Sequence, residues 1–223
     1  LEKIYDGAFM NCNGFYGELH LPNSLKQIDE GAFKSCRGIT GSLTIPQGIT
    51  KISHTTFSDC GFNGNLSIPD GVTDIEGSAF AGSGFRGELV LPKNLKSIGD
   101  AAFFQCSFSG TLHLPATLLS IGEGAFFSNN QLTGTVEIPE KITSIKSSTF
   151  GGCSQIEGLV LPANMETINS SAFENCFHIG SIVCKGAYPA YVKSGAFDGV
   201  PKDNFTVEVP ESAVAQYQTA VGW

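Results

Sequence analysis

The sequence predicts an α/β solenoid built mainly of short parallel β-strands, with a capping segment at its C-terminal end. Three observations carry that reading. Phe9, Phe33, Phe57, Phe80, Phe103, Phe126, Phe150, Phe173 and Phe197 recur every 23 or 24 residues. Pro22, Pro46, Pro69, Pro92, Pro115, Pro139 and Pro162 keep the same interval, each after an apolar-x-apolar triplet such as Leu43-Thr44-Ile45. From each Pro to the next Phe the spacing is constant at 11, whereas the return from Phe to Pro takes 12 or 13, so one side of the unit is fixed packing and the other tolerates an insertion. A unit this short cannot bury its apolar residues alone, so successive copies must stack and share one core.

Each element of the unit has a physical reading. The triplet alternates in, out, in, the period of a strand, and stacked copies should pair in parallel. Proline after it has no N–H to give the ladder and ends the strand. An aliphatic residue follows at three (Leu25, Ile49, Val72, Leu95, Leu118, Ile142, Met165) and an isoleucine at six, Ile28 through Ile168. The stretch Asp29 to Cys36 and its equivalents are too short for a stable helix and predict a single helical or 3-10 turn held by its Ala and Phe. Gly17, Gly41, Gly64, Gly87, Gly110 and Gly134 precede the triplets, where a positive φ or a bulge would steer the chain into the strand. Residues 1–184 therefore read as about eight coils. From 185 to 223 the period fails, and the segment reads as a cap with a short helix from Glu211 to Ala220, Tyr217 and Trp223 covering the last coil. Leu1 occupies the aliphatic site three residues after an absent Pro, so a leader, an anchor or further repeats are expected ahead of it.

Composition narrows the function classes. Charged residues make up 15% of the chain and glycine 27 of 223 residues, a turn-rich chain with an uncharged polar surface. The net charge of -8, without a basic cluster, argues against nucleic acid and anionic membrane surfaces. No apolar run approaches the ~18 residues of a membrane helix, so no direct membrane insertion is expected.

The pattern Leu-Pro-x-x-Leu-x-x-Ile-x-x-x-Ala-Phe-x-x-Cys resembles the BspA-type leucine-rich repeat of bacterial surface proteins, in eight copies or partial copies from Leu1 to about Cys184. The tail, Val207-Glu208-Val209-Pro210 followed by Ala213, Val214, Tyr217, Ala220 and Trp223, is similar to the closing segment of such proteins in Bacteroidetes. The resemblance implies a right-handed leucine-rich-repeat superhelix, an extracellular or outer-cell-surface location, and a role in adhesion or protein binding. Two coils depart from the pattern, with Ser83 and Asn129 at the Cys site. The coil of Ile156 and Leu159 lacks the Gly-x-Leu insertion.

Chemistry-bearing residues mostly read as structure. Cys12, Cys36, Cys60, Cys106, Cys153 and Cys176 share one repeat position, three after Phe. In-register side chains seldom reach the disulfide dihedral, so they are expected as buried free thiols acting as small hydrophobes, with Cys184 also in the core. No Cys-x-x-Cys or Cys/His cluster accompanies them, and no metal or cofactor is expected. His20 and His113 lie four coils apart and cannot share a proton or a metal. No serine has a neighbouring His and acid, so no catalytic residue is assigned and the chain does not read as an enzyme. The acidic residues Asp29, Glu30, Asp70, Asp74, Glu76, Asp100 and Glu123 read as solvated charges on convex-side turns rather than in a cleft.

What remains is the outward row of the triplets: His20, Thr44, Ser67, Val90, His113 and Glu137, with a second row from Glu18 to Ser181 preceding it. These positions vary while the core repeats, as an interaction face would require. The expected function is a cell-surface or secreted protein-binding or adhesion module that engages a host or bacterial surface protein, or a glycan. The alternatives are a structural spacer for another domain and, below it, a carbohydrate-binding or carbohydrate-active protein.

Overall fold

The computed structural model describes residues 1–203 and 205–223. They wind into a parallel β-solenoid of about nine turns with almost no helix. Among the described residues, the phenylalanine turn is bonded to its successor at every junction. Each Phe N–H donates to the carbonyl just before the next Phe, from Phe9 to Ala32 (2.8 Å) through Phe173 to Ala196 (2.8 Å). The rings stack face to face beneath these bonds, with centroids 5.2 to 5.7 Å apart and planes within 19°.

This turn is not the helical turn that the sequence predicts. Two residues four apart, flanking the Phe, adopt left-handed backbone, as at Gly31 (φ 59°) and Ser35 (φ 60°). Every second N–H is thereby turned toward the next coil: Gly31, Phe33 and Ser35 donate to His54, Thr56 and Ser58, while Ala32, Lys34 and Cys36 donate three residues back within their own coil. A helix would use all six bonds locally and leave the coils unlinked. The alternation links and closes them at once.

A second ladder, not anticipated as strand, lies at the isoleucine six residues after Pro. Lys51–Ile52, Asp74–Ile75, Ser97–Ile98 and Ser120–Ile121 form one four-stranded sheet. Ser144–Ile145, Thr167–Ile168 and Tyr191–Val192 form a three-stranded one. The triplets, in contrast, do not make the uninterrupted ladder expected of them. Leu43–Thr44 pairs with Leu66–Ser67, and Thr135–Glu137, Gly158–Leu161, Ser181–Cys184 and Thr206–Glu208 form a four-stranded sheet, but His20, Val90 and His113 lie outside any strand. At His20 and His113 the reason is register. Gly17–Glu18 pairs with Ile39–Thr40, and Ser109–Thr111 with Gln131–Thr133, at an offset of 22 where equivalent triplets are 24 apart, so two residues loop out before the triplet.

The Cys site corrects a second expectation. All seven cysteines are free, and all but the half-buried Cys12 are buried. They are more than small hydrophobes: the thiols of Cys36, Cys60, Cys106, Cys153 and Cys176 donate to the Phe carbonyl of the preceding coil at 2.9 to 3.3 Å. Ser83 Oγ makes the same bond to Phe57 at 2.7 Å, and Asn129 Nδ2 to Phe103 at 2.7 Å. The position requires a compact donor, and all three residue types supply one.

Five of the six pre-triplet glycines have the expected positive φ, from 70° at Gly134 to 95° at Gly17. Gly64 does not. A Cβ there would lie 2.4 Å from Ser42 Oγ and 2.8 Å from the Gly41 backbone, so close approach selects that glycine. Beyond Cys184 the ladders run on through Phe197 and Thr206–Glu208. A 3-10 turn, Glu211–Ala213, then leads into the helix Val214–Thr219. Tyr217 OH donates to the Gly186 carbonyl (3.3 Å) and Trp223 Nε1 to the Ala190 carbonyl (2.8 Å), with the two rings edge to face at 5.1 Å.

Candidate functional site

His20, Thr44, Ser67, Val90, His113 and Glu137 all lie exposed on the triplet side, each between buried or half-buried aliphatic neighbours. Val90, 62% exposed, is the most apolar of them. His20 Nε2 lies 3.9 Å from Glu18 in the second row. Glu137 is not free: Lys185 Nζ reaches across the Val160 coil to Glu137 Oε1 at 2.7 Å and stands 3.8 Å from Glu140 Oε1. The Glu137 hydrogen bond raises the Lys185 pKa above its usual value. Between His113 and Glu137 the triplets separate, and a cleft of about 460 Å³ opens, lined by Leu112, His113, Thr135, Glu137, Pro139 and Val160 among others.

The opposite assignment of the acidic residues needs correcting. Glu30, Glu76, Asp100 and Glu123 do not stand on featureless turns. They line a groove of about 940 Å³ that crosses six coils beside the isoleucine ladder, with His54 near one end and Lys146 at the other. Its floor is glycine. Where other coils carry Asp29, Ser53 or Lys146 four residues before Phe, two consecutive coils carry Gly99 and Gly122, and that substitution in the repeat was the sequence signal for the groove. A Cβ at Gly99 would fall 2.5 Å from the Gly77 nitrogen, and one at Gly122 would fall within 2.5 Å of the Asp100 backbone and carboxylate.

The groove's charges are partly spent internally. Glu76 accepts from Lys51 Nζ (2.9 Å) and from the His54 backbone N–H (3.0 Å), and Glu30 lies 3.4 Å from His54 Nδ1. Asp100 Oδ1 accepts the Glu123 N–H at 2.8 Å. Among the described residues neither Asp100 nor Glu123 has an ion-pair partner. Nearby, the Ser97 and Thr73 hydroxyls hold the Asp74 carboxyl below the usual carboxylate range. Also among the described residues, no group of three or more His, Cys, Asp or Glu side chains could hold a metal ion, and no helix is long and apolar enough to cross a membrane.

The repeat's identity follows from these features together. The chain belongs to the BspA type leucine-rich repeat region family, which matches residues 1–107 and 86–202 in six copies. Among solved structures it is similar to a leucine-rich repeat protein from Bacteroides ovatus, at 23% identity and a TM-score of 0.58, over 94% of this chain and 49% of that one. A leucine-rich cell surface protein from Faecalibacterium prausnitzii is 21% identical, with a TM-score of 0.47, over 98% of this chain and 72% of that one. This chain thus spans about half the length of the Bacteroides ovatus protein. No curated protein matches it.

Proposed function

We propose that this chain is a protein-binding or adhesion module of the extracellular space or outer cell surface, without catalytic activity. Its partner is a host or bacterial surface protein, or a glycan displayed on one. One observation carries the reading. The outward residue of the triplet changes from coil to coil, His20, Thr44, Ser67, Val90, His113, Glu137, while the buried residues on either side repeat. A stack joined at its phenylalanine turns can vary the triplet row without loss of cohesion, and a long row of shallow contacts suits a large partner met many times on a surface. Right-handed winding, and a capping role for residues 185–223, belong to the same reading.

The test is an array of glycans and host proteins probed with the purified chain, repeated with the His113→Ala/Glu137→Ala double variant. The double variant should bind the captured partner at least about tenfold more weakly, a loss of roughly 1.4 kcal/mol, with an unchanged melting temperature. A spacer would capture nothing. The carboxylate-lined groove supports a second placement of the same function: if Asp100→Asn/Glu123→Gln abolishes binding and the row variant does not, the partner lies along the isoleucine ladder.

A further inference from the structure

The junction between the His113 and Glu137 coils is unzipped at the triplet. In a closed junction Leu43 N–H donates to the Asn65 carbonyl and Ile45 N–H to the Ser67 carbonyl, both at 2.9 Å. The equivalent bonds, Leu112 to Thr135 and Leu114 to Glu137, are not formed among the described residues, and the 460 Å³ cleft lies among these four residues. The offset pairing of Ser109–Thr111 with Gln131–Thr133 holds it open. Leu112, Ile138, Pro139 and Val160 make the walls aliphatic. The rim's charge is partly paired, since the single Lys185 contacts both Glu137 and Glu140.

We propose that this cleft receives a neutral aliphatic side chain of a partner protein, whose flanking peptide groups complete the unpaired backbone bonds. The proposal rests on the protein-binding reading above and deepens it. Backbone N–H groups beside buried residues such as Leu112 gain from a partner's carbonyl, which fixes a peptide as the occupant. Lys185 offsets one of the two carboxylates, and the charge that remains sits on a solvent-exposed rim where it draws a cationic side chain only weakly. No Phe, Tyr or Trp lines the cleft, which removes the broad flat face on which a sugar ring packs best. An aliphatic side chain fits what is left, a small apolar hollow with a few polar groups at its mouth.

The probe is N-acetyl-L-leucine methylamide, titrated into the isotope-labelled chain and followed by amide chemical shifts. Saturable shifts are expected at Leu112, His113, Leu114 and Glu137, with half-saturation in the millimolar range that a ligand of about thirteen heavy atoms permits. Ala116 is exposed at the cleft, and Ala116→Phe should fill it and weaken the shifts at least about tenfold. Ala163→Phe, at the same repeat position two coils on, should leave them intact. Equal shifts from capped lysine or methyl glucoside, shifts that survive Ala116→Phe, or no shifts at all would each overturn the assignment. The two readings fail separately: no shifts with retained protein capture removes the cleft alone, and shifts without any captured protein remove the row.

Discussion

Ser83 Oγ donates to the Phe57 carbonyl at 2.7 Å, the bond that the Cys60 thiol makes to Phe33 one coil earlier at 3.0 Å. Ser83 Oγ also accepts the Cys60 N–H at 3.2 Å. Serine and cysteine are thus interchangeable here because each joins one coil to the carbonyl of the last. Ser83→Ala should cost about 2 to 3 kcal/mol, since it strands two buried backbone groups, whereas Ser83→Cys should cost under about 1. Chemical denaturation of both variants decides it. Equal losses would return the site to plain space filling.

Asn129 fills the same site less well. Its Nδ2 is bonded, but its Oδ1 is buried without a partner. Asn129→Cys keeps the donor and removes the orphan acceptor at similar volume, and should raise stability by about 1 kcal/mol in the same measurement.

The thiols also set an alkaline limit. Burial pushes the pKa values of Cys60 and Cys176 up to about 12 from 9.0. Between pH 9 and 12 the unfolded chain therefore loses protons that the folded chain keeps. Stability falls with rising pH across that window, by up to about 1.4 kcal/mol per unit for each thiol. Cys60→Ser/Cys176→Ser should be nearly neutral at pH 7 and should flatten the alkaline fall. At pH 8 Cys12, half-buried where the other six are buried, should be the first to label with a thiol reagent, the others reacting on unfolding. Native labelling of Cys153 would contradict this placement.

Left-handed residues offer a converse test. Ala101 has φ 53° where equivalent coils carry Gly31 and Gly124. Relief of the Cβ strain outweighs the greater freedom of glycine in the unfolded chain, so Ala101→Gly should stabilise by about 0.5 kcal/mol. Phe103→Ala, fully buried with rings stacked on both sides, should cost about 3 to 5 kcal/mol, against well under 1 for Thr111→Ala.

The period of Phe and Pro made the solenoid legible, because stacking demands the same residue at the same depth in every coil. The donor role of the Cys site was also present in the sequence, in the substitutions Ser83 and Asn129, whose shared property is an N–H or O–H rather than size. Other features were not readable. Whether a short apolar-x-Ile segment pairs as strand depends on spacing between coils, which composition does not fix. The opening at His113 comes from a two-residue register slip that leaves the hydrophobic pattern unchanged. The groove did leave one trace, the glycines Gly99 and Gly122 in consecutive coils, since a carboxylate's position in the repeat gives only its row, whereas depth comes from what its neighbours lack.

Native-state amide hydrogen exchange tests most directly the claim that the phenylalanine turn holds the stack while the triplet row stays free to bind. The N–H groups of Phe57, Phe80, Phe103, Phe126 and Phe150 should exchange together, only through global unfolding. Those of Leu112 and Leu114 should exchange at least about a hundredfold faster, through local opening alone. Slow exchange at the triplets with early exchange at the phenylalanines would place the spine on the strands and contradict the account.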